Sequence, residues 1–203
     1  MGKADCDLSP LKQQVELELN QVLLEIETSL ATMKDENSCV LGNLEKIRER
    51  FVRIESTAAS FYLYCYLSPY TDTYSDLSVA IQHLSRRRHG ALIVIQRNDP
   101  LGHLVQNGTM IGASLSSSLL ESIFYPGGPL HDGAVLVQGN TIVSARNVLP
   151  LATSFLGDPN LGTRHRAAVG LSERSDALVI VVSEETGKAR FAIRGRLYPL
   201  ASV

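Results

Sequence analysis

The stretches of this sequence that could do chemistry are three short loops rich in charged side chains. Gly162-Thr163-Arg164-His165-Arg166 places two arginines and a histidine where a loop becomes a helix. Thr163 is a good N-cap, and Ala167, Ala168, Val169 and Leu171 continue a helical pattern. Cations are unfavourable at that position, because a helix N-terminus already carries unpaired N–H groups and a partial positive charge. A phosphate resolves the conflict. The second loop, Pro129-Leu130-His131-Asp132-Gly133-Ala134, presents an imidazole beside a carboxylate in a turn just before a strand. The third, Ser183-Glu184-Glu185, follows an apolar run. Each alone is a common turn or a basic helix start. Together they supply oxygen ligands for a hard cation and guanidinium groups for the remaining phosphate charge, the inventory for a metal-bound polyphosphate. No Walker loop and no G-x-G-x-x-G motif is present, so this is not a standard nucleotide fold.

The elements that position these loops follow from hydrophobic period. Ser9-Pro10 signals a helix start, and Leu11, Val15, Leu19, Val22, Ile26, Leu30 and Met33 recur every three or four residues. A polar break at 34–38 precedes a second stripe through Val40 or Leu41, Leu44, Ile47, Phe51 and Ile54, so an antiparallel two-helix hairpin is expected. Phe61 to Tyr74 holds five of the seven tyrosines and reads as the seam against the next domain. A helix from Asp76 to Arg88 follows, with Gly90 as its C′ residue and Arg86-Arg87-Arg88 complementing its dipole. Ala91 to Ile95 and Ala177 to Val182 are continuous apolar runs suited to strands buried on both faces. A helix through Leu119 to Phe124 capped by Ser116 or Ser117, a Gly139-Asn140 hairpin joining two strands, and a strand from Ala189 to Arg194 complete the pattern. The expected fold is α/β, a mixed central sheet with helices on both faces, preceded by the helical hairpin. The division falls at 1–66, for oligomerisation and regulation, and 67–203, for the chemistry.

Composition narrows the partners. A net charge of −2 argues against a general nucleic-acid binder, and the longest apolar run, Phe61 to Leu67, is far too short to span a bilayer. Cys6, Cys39 and Cys65 lack metal-ligand spacing and read as reduced thiols in a cytoplasmic protein without a disulfide framework.

Leu130-His131-Asp132-Gly133-Ala134 followed by Gly162 to Arg166 resembles the D-G-A and R-H-R motif pair of diadenylate cyclases, enzymes that make cyclic di-AMP from ATP. The similarity covers Gly90 to Leu197, including Gly90-Ala91-Leu92-Ile93-Val94-Ile95 and Val182-Ser183-Glu184-Glu185-Thr186-Gly187. The short length and N-terminal helical pair resemble the small soluble subtype of sporulating bacteria. The resemblance implies that Asp132 holds a divalent metal, Mn²⁺ or Mg²⁺, and helps activate the attacking 3′-hydroxyl, with His131 and Glu184 as further ligands. Gly133 and Ala134 would let backbone approach the nucleotide, while Thr163, Arg164, His165 and Arg166 meet the phosphates and Ser183 and Glu184 line the same site. Leu149, before Pro150, matches the position whose backbone reads adenine; Val148 stands where some relatives carry an aromatic. Because the product has two-fold symmetry, the resemblance also implies a homo-oligomer with two protomers facing across an isologous interface. Deleting 1–66 is expected to raise activity if the hairpin restrains that pairing. The same loops also suit a non-catalytic sensor of ATP or a cyclic dinucleotide; intact Asp132 and R-H-R favour catalysis.

Overall fold

Helical period at the N-terminus does produce a hairpin. In a computed structural model, which describes residues 6, 7, 9–33, 40–152 and 162–200, α1 (Ser9–Thr32) returns antiparallel as α2 (Val40–Leu67). Ahead of α1, the Asp7 carboxylate accepts the Ser9 N–H at 2.9 Å, a bond that holds the Asp7 carboxyl below its usual range. Arg50 of α2 reaches Glu25 and Glu18 of α1 at 2.9 and 3.4 Å. The predicted break at 34–38 and Cys39 lie outside the described residues.

Two expectations need correction here. Cys6 and Cys65 are joined in a disulfide, because the antiparallel return brings residues 59 apart in sequence to a Cα separation of 5.7 Å. Sparse spacing hid a pair that only the hairpin creates. The predicted stripe is also only partly used: Leu11 and Val22 are buried, while Leu19, Ile26, Leu30 and Met33 stay exposed. Among the described residues, the hairpin therefore leaves much of its apolar surface uncovered.

The far end of α2 belongs to a different environment. Ala59, Leu63 and Leu67 are buried in one core with sheet residues such as Ile180 and Phe191, and Tyr66 packs edge-on against Phe191. Arg97 lies over the rings of Tyr66 and Tyr70. The tyrosine-rich stretch is thus the seam between helix and sheet, and α2 continues unbroken across residues 66 and 67.

After α3 (Tyr74–Arg87) come β1 (Ala91–Ile95), β2 (Thr109–Ser114), α4 (Ser117–Ile123), β3 (Ala134–Gln138), β4 (Thr141–Asn147), α5 (Thr163–Ser172), β5 (Leu178–Val182), β6 (Ala189–Ile193) and β7 (Arg196–Pro199). The described strands form one sheet in the order β2-β4-β3-β1-β5-β6-β7, mixed because β1 and β3 are parallel while the other pairs are antiparallel. β1 and β5, central in that order, are fully buried, as their unbroken apolar runs require. One face carries α2, α3 and α4 residues such as Leu67, Leu84 and Leu120; the other carries Ala167, Ala168 and Leu171 of α5. The C-cap of α3 is Arg88, in the left-handed conformation at φ 55°, and not Gly90. Arg87 of the arginine run binds Glu121 of α4 at 2.9 Å, consistent with a solvated, dipole-complementing end.

Candidate active site

Strand register decides where the three chemical loops go. Ile93 of β1 pairs with Val135 of parallel β3, so Gly90 and Asp132-Gly133 enter their strands side by side. Val182 pairs with Ala91, so Ser183 and Glu184 leave β5 at the same end of the sheet. Asn147 pairs with Ala134, so Val148 and Leu149 leave β4 there too. The start of α5 is tied to this end by Arg164, whose Nη1 donates to Glu184 Oε2 at 2.7 Å. Loops separated by up to about half the chain thus converge because neighbouring strands begin or finish together.

Local chemistry fixes each loop. Gly133 sits at φ +115°, and a Cβ there would fall 2.8 Å from the Asn147 carbonyl oxygen, so the turn after Asp132 is open only to glycine. Asn147, buried to 4% exposure, donates through Nδ2 to the Ala134 carbonyl at 2.8 Å and accepts from Ser144 Oγ at 3.0 Å. That buried amide holds the first residue of β3 against the end of β4. His131 Nδ1 lies 2.5 Å from the Gly128 carbonyl, which can only accept, so Nδ1 donates there and Nε2 is the ring nitrogen left for another partner. Asp132 is exposed and has no hydrogen-bond or ion-pair partner among the described residues. Gly170 lets the 150–152 backbone lie on α5, where a Cβ would meet it at 2.4 Å, and Ala152 N–H donates to the Arg166 carbonyl. Leu149 is buried beside that segment and Val148 is 58% exposed.

At the start of α5 the cap differs from expectation. Gly162 is the N-cap, with no side-chain cap bond, and Thr163 is the first helical residue. The His165 and Arg166 N–H groups donate to the Gly162 carbonyl, and the first turn contains no acidic residue. A helix start without a capping side chain or an acidic first turn suits an external anion. Thr163 and Arg166 are exposed there, and Arg164 is half-buried with an unpaired, buried Nε. His165 is set apart from Thr163 and Arg166 by burial. It is 6% exposed, and burial together with nearby Arg190 pushes its pKa down to about 4, so it is neutral and adds no charge against phosphate. The Ser183 hydroxyl accepts the Thr186 N–H at 3.2 Å and shapes its own turn. Among the described residues no three His, Cys, Asp or Glu side chains converge as a metal cage, so His131, Asp132 and Glu184 are not a ready-made ligand set within one protomer.

His165 makes a pH prediction. Its folded pKa of about 4 lies below the ordinary 6.5, so the unfolded chain binds more protons between those values. The associated stability is complete above about pH 6.5 and is lost as the pH falls toward 4. Denaturant unfolding at neutral and acid pH should show a loss on the order of 2 kcal/mol that His165→Gln does not show.

Sequence reading missed Asn147 and the close approach of side chains to Gly90. Asn147 gives no period or motif, since its role depends on a cross-strand partner. A Cβ on Gly90 would meet Arg164 Nη1 at 2.7 Å and Glu184 Oε2 at 2.9 Å, a clearance visible only once the loops meet.

One end of the mixed sheet thus gathers an uncapped helix start, an unpartnered carboxylate and a half-buried arginine, groups suited to an anionic ligand. Residues 78–197 match the family described as DisA bacterial checkpoint controller nucleotide-binding, and residues 3–70 match that described as diadenylate cyclase CdaS, N-terminal. The chain belongs to the diadenylate cyclase family. It is 51% identical to diadenylate cyclase CdaS of Bacillus thuringiensis, over 94% of this chain and 97% of that one. It is 50% identical to cyclic di-AMP synthase CdaS of Bacillus subtilis, over 94% and 92% of the two chains. A Bacillus cereus structure described as a hypothetical membrane spanning protein superposes with a TM-score of 0.81 at 51% identity, covering 95% of each chain. Among the described residues, no helix here is long and apolar enough to cross a membrane.

Proposed function

We propose that two copies of this chain, facing each other, condense two ATP molecules into cyclic di-AMP and two pyrophosphates. The observation that carries this reading is the convergence of Asp132-Gly133, the start of α5 and the Arg164–Glu184 pair at one end of the sheet. Family membership supplies the reaction class; the sheet end supplies groups suited to it. The adenine lies against the backbone at Leu149, with Val148 offering an apolar contact and no ring. Gly133 and Ala134 admit the nucleotide close to the backbone. The polyphosphate sits at the α5 start, met by the Thr163 and Arg164 N–H groups and by the guanidinium groups of Arg164 and Arg166. His165, buried and neutral, anchors that turn from inside.

The family implies a divalent metal, and the residues fit one. Hard cations of this kind take one or two carboxylates and complete their shell with substrate phosphate and water. Asp132 and the Nε2 side of the His131 ring are the available ligands; Glu184 is engaged by Arg164 and acts on the site through it. A bound Mn²⁺ or Mg²⁺ would neutralise developing phosphate charge. Asp132 draws the 3′-hydroxyl toward its carboxylate, and Arg164 and Arg166 stabilise the leaving pyrophosphate.

One sheet end presents one nucleotide site, so ring closure needs a second copy. Assembly falls to α1 and α2, whose exposed leucines include Leu17 and Leu24, seven residues apart on one helix face. In some arrangements the hairpin holds the catalytic faces apart. Simple truncation at residue 66 would strip Ala59 and Leu63 from the sheet core, so surface changes test this better. Leu17→Glu with Leu24→Glu should shrink the assembly in light scattering and raise cyclic di-AMP formation per protomer. A smaller, folded assembly that is slower at equal concentration contradicts the restraint. Diluting the parent until protomers separate should leave ATP binding and abolish cyclisation; turnover by a monomer contradicts the two-copy reading. Availability of ATP argues for a cytoplasmic setting, and the near-neutral charge for no nucleic-acid partner.

A further inference from the structure

Gly90 raises a question that its backbone does not answer. Glycine is required where φ is positive or where backbone would collide, as at Gly133, with φ +115°, and at Gly170, where a Cβ would lie 2.4 Å from the 150–152 backbone. Gly90 is not among the residues of positive φ. A Cβ there would meet no backbone within its closest contacts, but Arg164 Nη1 at 2.7 Å, Glu184 Oε2 at 2.9 Å and Arg164 Cζ at 3.0 Å. These are the ends of two flexible side chains. Alanine could be accommodated by turning them aside, without moving the fold.

We propose that Gly90 is a positioning residue for triphosphate binding: its bare backbone is the floor on which the Arg164–Glu184 pair rests, and any side chain there drives Arg164 from the place where it meets the phosphates. The inference rests on the reading of Arg164 as a phosphate ligand. Three facts support the floor. Gly90 is buried, so the pair covers it. The Arg164 side chain is 21% exposed and holds its Nε buried without a partner, which fixes the guanidinium by packing more than by hydrogen bonds. The carboxylate partner is 62% exposed, so Glu184 alone cannot hold Arg164 firmly in water. Removing the floor should thus mis-aim the arginine while leaving β1 intact. Because alanine also restricts the unfolded chain, Gly90→Ala should be as stable as the parent or slightly more so.

The test uses the full chain with Gly90→Ala, Arg164→Ala and both together, measuring Mg²⁺-ATP binding by calorimetry and thermal unfolding in parallel. Gly90→Ala should melt within about 3 °C of the parent, and bind ATP about tenfold more weakly. In the Arg164→Ala background the second change should add nothing, because the group it displaces is gone. A chain of purely structural importance at 90 would instead lose melting temperature with or without Arg164. Parental ATP affinity in Gly90→Ala beside weakened Arg164→Ala overturns this inference alone. Additive losses, or an unfolded Gly90→Ala, also overturn it. Parental affinity in Arg164→Ala overturns the phosphate reading of that arginine and this inference with it.

Discussion

Asp132→Asn should lower the rate of cyclic di-AMP formation on the order of a hundredfold or more while the chain stays folded. The substitution keeps the shape of the side chain and removes its negative charge. Asp132 is exposed and has no partner among the described residues, so neither packing nor an internal bond is lost. Its stability change should stay within about 0.5 kcal/mol, as for other surface positions. In the proposed reaction, what goes is the carboxylate that would hold the cation and draw the attacking hydroxyl. Initial rates at several Mn²⁺ concentrations check this, with thermal unfolding as the control. Part of the loss should return as Mn²⁺ rises, because His131 and the substrate phosphates would remain as ligands. A rate close to the parent's at low Mn²⁺ would remove Asp132 from the site.

Arg164→Ala comes second in size. Arg164 donates to Glu184 at 2.7 Å, with side-chain exposures of 21% and 62%. With its carboxylate so open to water, the ion pair contributes at most about 1 kcal/mol to folding. In the proposed reaction the same guanidinium would make charge-assisted bonds to the triphosphate that strengthen as pyrophosphate leaves. The expected result is a loss on the order of a hundredfold in kcat/KM with the melting temperature little changed. Steady-state kinetics and calorimetric unfolding on one preparation read both quantities. If Arg164→Ala unfolds the chain, the arginine is a structural element of the α5 start.

Much of this was legible in sequence where a physical signal is local. β1 and β5 declare themselves as unbroken apolar runs, α1 and α2 as stripes of three and four, and the β3–β4 hairpin as Gly139-Asn140, with Gly139 at φ 56°. β2 and β7 gave no such signal. β2 is an edge strand, exposed along most of its length and broken by Gly112 at φ 64°, and β7 is four residues ending in proline. The Arg194-Gly195 turn before β7, both residues at positive φ, was a readable hint. The candidate site divides the same way. Asp132-Gly133 and the Arg164 helix start stand out by residue type. The burial of His165, the capture of Glu184 by Arg164, the Asn147 clamp and the Cys6–Cys65 disulfide all depend on contacts between distant segments, which no window along the chain contains.

Product analysis with two isotopic forms of ATP bears most directly on the central claim. Equal amounts of light and heavy ATP, given to the full chain with Mn²⁺, should yield cyclic di-AMP in three masses, the mixed product twice as abundant as either pure one. Two pyrophosphates should appear for each cyclic molecule. Pyrophosphate released with only AMP or a linear dinucleotide, and no cyclic product of mixed mass, would contradict condensation of two ATP molecules at this sheet end.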